Sequence, residues 1–119
     1  MLTILTVDDS ASMRAMVSLT LEEAGYNIIS AIDGDQALEK ARNTDPDLVL
    51  TDVNMPNMDG ITLIRELRKL PKYKFTPMLM LTTENSAEKK REGKLAGATG
   101  WLVKPFNPEQ LVATIKRVT

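Results

Sequence analysis

The sequence predicts an α/β fold, an open parallel β-sheet covered by helices on both faces. Three observations predict it. Short apolar runs alternate five times with segments of helical periodicity. The run Pro77–Leu81 is apolar on both sides, as a strand buried centrally in a parallel sheet must be. No internal repeat, low-complexity tract or linker interrupts the alternation, so the 119 residues are read as one domain, 1–119.

Taken in order, Leu2–Val7 is short, apolar and partly β-branched, and reads as the first strand. Met13, Met16, Val17, Leu21 and Ala24 recur at helical spacing, and Gly25 supplies a C-terminal stop. Asn27–Ile32 reads as a second strand. Ala37, Leu38 and Ala41 mark a short helix that Asn43-Thr44-Asp45-Pro46 ends. Leu48–Thr51 is the third strand, followed by a loop from Asp52 to Gly60. Ile61, Ile64 and Leu67 mark the next helix, and Pro77–Leu81 the fourth strand. The segment Ser86–Gly97 should be helical, yet Lys89, Lys90, Arg91, Glu92 and Gly93 leave it little apolar face, so weak anchoring is expected. Trp101-Leu102-Val103 is the last strand. Asn107 then caps a helix with Pro108 at its first position and Gln110 placed for a capping box. Leu111, Val112, Ile115 and Val118 form that helix's buried face.

Composition narrows the chemistry. No apolar run approaches the ~18 residues of a membrane span, and Met1-Leu2-Thr3-Ile4 opens without a basic leader. The chain has no cysteine, which excludes disulfides and thiolate metal sites and suits a reducing cytoplasm. It has no histidine either, so any phosphate it carries must sit on a carboxylate or hydroxyl. Residues 1–60 hold 11 acidic and 3 basic side chains, whereas residues 61–119 hold 5 acidic and 12 basic. The basic residues are scattered over helical positions and aromatics are sparse, which favours solvated helix faces over a nucleic-acid surface.

In an open parallel sheet, ligands gather beyond the carboxyl ends of the strands. Asp8-Asp9, Asp52, Thr82-Thr83 and Lys104 each follow or close a different strand and should converge there. Three carboxylates in one crevice cannot all stay ionised cheaply unless a cation binds. An all-oxygen donor set favours Mg²⁺ or Mn²⁺. A carboxylate beside such an ion can accept a phosphoryl group, with Lys104 offsetting charge on the transferred oxygens. Each residue alone has a plainer reading. Asp8-Asp9 could cap the first helix, Asp52 could be an ordinary loop residue, and Thr82 could be a strand hydroxyl bonded to backbone. Lys104-Pro105 could be a turn, and Met55 and Met58 loop packing.

The set of motifs resembles the receiver domain of two-component response regulators across essentially the whole chain. It runs Val7-Asp8-Asp9-Ser10, Asp52 with Met55-Pro56 and Met58-Asp59-Gly60, Leu81-Thr82-Thr83-Glu84, and Lys104-Pro105-Phe106. The resemblance implies a flavodoxin-like doubly wound (βα)5 fold with a five-stranded parallel sheet in the order 2-1-3-4-5. It implies Asp52 as phosphoacceptor and a Mg²⁺ site made by Asp8, Asp9, Asp52 and the backbone carbonyl of Asn54. In that site Asp9 would bind directly and Asp8 largely through water. Thr82 and Lys104 would meet the phosphoryl group, Trp101 would be a switch aromatic, and the Lys104–Pro105 bond would be cis. Asn54 and Glu84 would tune hydrolysis.

Gly100-Trp101 and the Asn107-Pro108-Glu109-Gln110 cap resemble single-domain chemotaxis regulators. That resemblance implies a cytoplasmic, monomeric switch phosphorylated by a chemotaxis-type sensor histidine kinase. Its target would be a protein such as the flagellar motor switch, and a phosphatase is a further partner; nucleic acid and membrane insertion are not expected. Such a domain is not an enzyme beyond its own phosphorylation and dephosphorylation. With no residue after Thr119, a stand-alone domain is the expectation. A phosphorelay intermediate and a phosphate sink remain alternatives. A Mg²⁺-dependent aspartyl phosphatase of haloacid-dehalogenase type fits less well, because the second acid follows Asp8 directly instead of two positions on. An FMN binder would need a hydroxyl- and glycine-rich phosphate loop where this chain has two carboxylates.

Overall fold

A computed structural model describes residues 2–119; Met1, which the one-domain reading and the leaderless opening both include, lies outside them. The elements run β1 (Thr3–Val7), α1 (Ala11–Glu23), β2 (Asn27–Ala31), α2 (Gly34–Asn43), β3 (Leu48–Thr51) and α3 (Gly60–Arg68). A 3-10 turn (Pro71–Tyr73) precedes β4 (Met78–Thr82), α4 (Ala87–Ala96), β5 (Gly100–Val103) and α5 (Pro108–Val118). All strand pairs are parallel, in the order β2-β1-β3-β4-β5, which is the implied flavodoxin-like topology.

Side chains alternate across each strand, and the alternation builds two cores. Ile4, Leu48, Leu50, Leu79 and Leu81 pack with Val17 and Leu21 of α1 and Leu111 and Ile115 of α5. Leu5, Val7, Val49, Met78 and Met80 pack on the other face with α2, with Ile61, Ile64 and Leu67 of α3, and with Ala96 of α4. Every α-helix begins on a polar cap, in turn Ser10, Asp33, Asp59, Ser86 and Asn107, whose side chain accepts the backbone N–H of the residue three positions on. Each such cap contributes about 1 kcal/mol. Asn107 makes its half of the expected capping box, accepting from Gln110 N at 3.0 Å. The reciprocal bond from the Gln110 side chain is not formed among the described residues, and Gln110 is exposed.

Several sequence readings need correction. Only Val17 and Leu21 of α1 are fully buried; Met16 is 55% exposed and Ala24 is exposed. The helix touches the sheet along its narrow Met13–Val17–Leu21 row, and Met16 lies about 100° around the axis from Val17. Ile32 leaves the sheet, because its N–H turns to Gln36 Oε1 at 2.9 Å. Leu2 and Pro77 precede their strands rather than opening them. The expected weakness of α4 is seen: it buries only Gly93 and Ala96, and Leu95 is 81% exposed. The sequence reading missed the 3-10 turn, whose Tyr73 is buried and donates its hydroxyl to the carbonyls of Ala41 and Thr44. Arg68 ties this turn to the end of α4 through the carbonyls of Tyr73 and Gly97.

Gly60 shows how the fold sets the loop after β3. A Cβ on it would lie 2.0 Å from the carbonyl oxygen of Asp52, with backbone on both sides and nothing free to swing aside. Its N–H donates to Val53 O at 2.8 Å, closing the loop over β3. Gly60→Ala is expected to cost about 3 kcal/mol or more in urea unfolding, since neither backbone can yield cheaply. A loss under about 1 kcal/mol would contradict the close approach.

Candidate functional site

The alternation that builds the cores also places the chemistry. Asp8 continues the Ile4–Thr6 row of β1, and Asp52 continues the Leu48–Leu50 row of β3. Both emerge at the carboxyl edge of the sheet on the α1/α5 side, and Lys104 follows the Leu102 row of β5 to meet them. Asp8 and Asp52 are 7% and 8% exposed, whereas Asp9 is exposed. Each of the three offers a carboxylate oxygen, and these oxygens lie within 4.8 Å of one another.

Lys104 Nζ donates to Asp8 Oδ2 at 2.6 Å and to Asp52 Oδ2 at 2.9 Å. Burial lowers the Lys104 pKa, but the hydrogen bonds and charges of Asp8 and Asp52 outweigh it, leaving the ammonium more basic than the usual 10.5. Asp52 Oδ1 accepts from Val53 N at 2.7 Å and Asn54 N at 3.3 Å. One oxygen of Asp52 is therefore fixed by backbone amides while the other faces the lysine. Asp8 Oδ1 accepts from Ser10 N at 2.9 Å, and Arg14 Nη1 donates to the Asp8 carbonyl at 2.7 Å. Three acidic groups face Lys104, with the Arg14 guanidinium close by on the Asp8 carbonyl, and negative charge remains in excess when all are ionised. That excess, with oxygen donors only, fits a hard divalent cation.

Asn54 is exposed beside this cluster. The Lys104–Pro105 bond is cis, and Lys104 N donates to Thr82 O at 2.9 Å. Thr82 is fully buried and ends β4 on the opposite row from Leu81. Its Oγ1 accepts from Glu84 N at 3.2 Å. Trp101 is half-buried against the α2/α3 core, and its Nε1 donates to Glu84 O at 2.9 Å. Glu84 thus joins Thr82 to Trp101 through its own backbone, a link the sequence reading did not assign. Gly93 of α4 accommodates the indole: a Cβ there would lie 2.8 Å from Trp101 Cζ3.

Sequence reasoning passed over Arg14 and Thr6, and it read Gly93 only as part of the weak face of α4, not as a recess for Trp101. Thr6 left a trace, the second threonine of the Leu2–Val7 run and two positions before Asp8. Arg14 and Gly93 left none, because their contacts are made only once α1 and α4 are docked. The rival readings gain no support from the geometry. Ser10 stands where a haloacid-dehalogenase second acid would be, and its hydroxyl caps α1. The first βα loop presents Asp8 and Asp9 where an FMN phosphate would need donors.

Similarity to known proteins bears on the same residues. The chain is 56% identical to a solved structure of the Vibrio cholerae chemotaxis protein CheY4, with a TM-score of 0.97 over 100% of this chain and 99% of that one. It is 40% identical over 115 residues to the Bacillus subtilis alkaline phosphatase synthesis transcriptional regulatory protein PhoP, covering 97% of this chain and 47% of the relative. It is 33% identical over 115 residues to protein PilG of Pseudomonas aeruginosa, covering 97% of this chain and 85% of the relative. The chain thus spans about half the length of PhoP and most of PilG. The family model described as response regulator receiver domain matches residues 4–116, a span that carries every residue of the acidic edge and both members of the Thr82–Trp101 pair. By that match and its parallel five-stranded fold, the chain belongs to the response regulator receiver domain family.

Proposed function

We propose that this chain is a single receiver domain, 1–119, that works as a phosphorylation-activated switch in a chemotaxis-type two-component system. Asp52 takes a phosphoryl group from the phosphohistidine of a sensor histidine kinase. The observation that carries this reading is the state of the Asp52 carboxylate: nearly buried, one oxygen held by two backbone amides, the other on Lys104. In the transfer the phosphorus–nitrogen bond to the kinase imidazole breaks and a phosphorus–oxygen bond to Asp52 forms, and the imidazole recovers its proton from solvent. Lys104 then exchanges its contact with Asp52 Oδ2 for a phosphoryl oxygen. The Thr82 hydroxyl leaves Glu84 N to donate to the phosphoryl group, and Trp101, linked through Glu84, shifts with it.

Mg²⁺ held by Asp8, Asp9, Asp52 and the carbonyl of Asn54 would neutralise charge on the transferring oxygens. The domain acts as a switch and not as an enzyme on other substrates. The full-length likeness to CheY4 supports a chemotaxis role, with a monomeric cytoplasmic protein, a target such as the flagellar motor switch, and a phosphatase as a further partner. No helix among the described residues is long and apolar enough to cross a membrane.

With acetyl phosphate and Mg²⁺, intact-mass analysis should show one added phosphoryl group on the wild type and none on Asp52→Asn. Equal labelling of the two would defeat the assignment of Asp52. Beryllofluoride with Mg²⁺ should change Trp101 fluorescence, and an unchanged spectrum would argue against its coupling to Asp52. Lys104→Ala removes the one cation that separates Asp8 and Asp52. Without metal it should lose on the order of 3 kcal/mol of stability, as when a buried pair is broken from one side. Calorimetry should show it binding Mg²⁺ as tightly as wild type or tighter, yet giving no Trp101 response to beryllofluoride. Abolished Mg²⁺ binding would contradict that division of roles.

A further inference from the structure

Arg68 ends α3 half-buried, and its guanidinium meets only main-chain carbonyls among the described residues. Nε and Nη2 both donate to Gly97 O, at 3.2 and 2.7 Å. Nη1 donates to Tyr73 O at 2.6 Å and to Lys74 O at 3.3 Å. No carboxylate pairs with it among the described residues. Burial lowers its pKa from the ordinary arginine value, which marks the cost of holding a cation there. Bonds from a charged donor are stronger than neutral ones, and the rigid fork of the guanidinium sets their directions. One side chain thus ties the end of α3, the turn before β4 and the end of α4 into a single arrangement.

Gly97 closes α4, and its carbonyl lies past the last helical N–H that could meet it. The Arg68 side chain lies against this glycine: a Cβ on Gly97 would come within 3.0 Å of Arg68 Cγ and 2.8 Å of Nε. Little else holds the helix. From Ala87 to Glu92 no residue is buried, and α4 reaches the core only with Gly93 and Ala96. Gly93 stands one turn before Gly97 on the same face, and Gly97 N donates to Gly93 O at 3.1 Å. Gly93 is also the residue that covers the Trp101 ring. A grip on Gly97 therefore governs how closely Gly93 approaches the indole. The other end of α4 follows directly from Glu84, whose backbone accepts from Trp101 Nε1 and donates to Thr82 Oγ1. Ser86, the cap of α4, donates its N–H to Glu84 Oε1 at 3.3 Å.

We propose that Arg68 is a positioning residue for the switch: its grip on Gly97 keeps Gly93 seated over the Trp101 indole and so favours the resting arrangement. The inference rests on the reading of Asp52 as phosphoacceptor and of Trp101 as the aromatic that shifts. For the indole to shift, either its ring leaves the space beside Gly93 or α4 yields, and Arg68 opposes the second route. Without the guanidinium the helix yields more easily, and the resting arrangement loses part of its advantage. A ligand that favours the shifted arrangement reads that loss as tighter binding. Arg68 acts at the turn that enters β4, on the edge of the sheet opposite Asp52, so it does this without touching the metal-binding group.

The test compares wild type with Arg68→Met, which keeps an unbranched stem against Gly97 and removes every donor, and Arg68→Lys, which keeps one charged donor without the fork. Gly93→Ala supplies a second route, since its methyl crowds the indole while Arg68 stays intact. In metal-free protein, R68M and G93A should leave Trp101 more open to acrylamide quenching and move its emission to longer wavelength, with R68K in between. Calorimetric titration with beryllofluoride at saturating Mg²⁺ should half-saturate R68M and G93A at about fivefold lower concentration than wild type, a modest coupling. Mg²⁺ affinity itself should stay at the wild-type value in both. An R68M protein that is less stable in urea, yet matches wild type in quenching and in beryllofluoride binding, would overturn the proposal, because Arg68 would then be a structural tie alone. Weaker beryllofluoride binding by R68M would also overturn it, by placing the grip on the shifted side. If R68M fails to fold, the same readings on R68K decide. Should wild type give no beryllofluoride response, the reading of Asp52 fails instead, and quenching in R68M and G93A still decides whether Arg68 sets the position of the indole.

Discussion

Three carboxylates meet at one edge of the sheet with a single ammonium between them, and much of the molecule exists to sustain that imbalance. Asp8 and Asp52 are drawn out of bulk water, where each ionised group would be expensive alone. Lys104 bridges them at 2.6 and 2.9 Å, and backbone amides of Ser10, Val53 and Asn54 take up further acceptor sites. Even with the Arg14 guanidinium on the Asp8 carbonyl, the compensation is incomplete. A fold that holds such a deficit is poised for a divalent cation and for chemistry on an anionic group. Neither could be accommodated if the pair were already neutral.

The sheet keeps this charged centre apart from Thr82 and Trp101. Asp8, Asp52 and Lys104 lie along strand rows that face α1 and α5, whereas Thr82 and Trp101 lie on rows that face α2, α3 and α4. What crosses between the faces is backbone. Lys104 N bonds Thr82 O, and Glu84 receives Trp101 through its carbonyl while giving its N–H to Thr82. A change that altered the Thr82 hydroxyl would reach Trp101 through the two peptide units that flank the Glu84 Cα.

The two sides differ in how firmly they are held. The α1/α5 core locks the charged rows through fully buried Leu21, Leu111 and Ile115. The helix beside Trp101 buries only Gly93 and Ala96, and a mid-helix glycine costs about 1 kcal/mol relative to alanine. Gly93 is there because the indole occupies the space a Cβ would need. Anchoring is thus weak beside Trp101 and packing is tight behind the acidic centre, so local opening is easier on the α4 side than where charge must be held.

The sequence by itself determined the element order, the alternation of strands and helices, and the convergence of Asp8, Asp9, Asp52, Thr82 and Lys104 at one edge. All of these follow from local periodicity, because polar groups at the carboxyl ends of parallel strands have only one edge to share. Tertiary structure alone decided which α1 residues are core, since Met16 and Val17 look equivalent in the pattern until the helix is docked on one row. It alone revealed the Tyr73 anchor, the Arg14 bond to Asp8, the Gly93 recess and a buried Thr6 hydroxyl without a hydrogen-bond partner among the described residues. Each depends on distances between residues brought together by packing, and hydrophobic periodicity fixes the direction in which a side chain points but not what it will meet there.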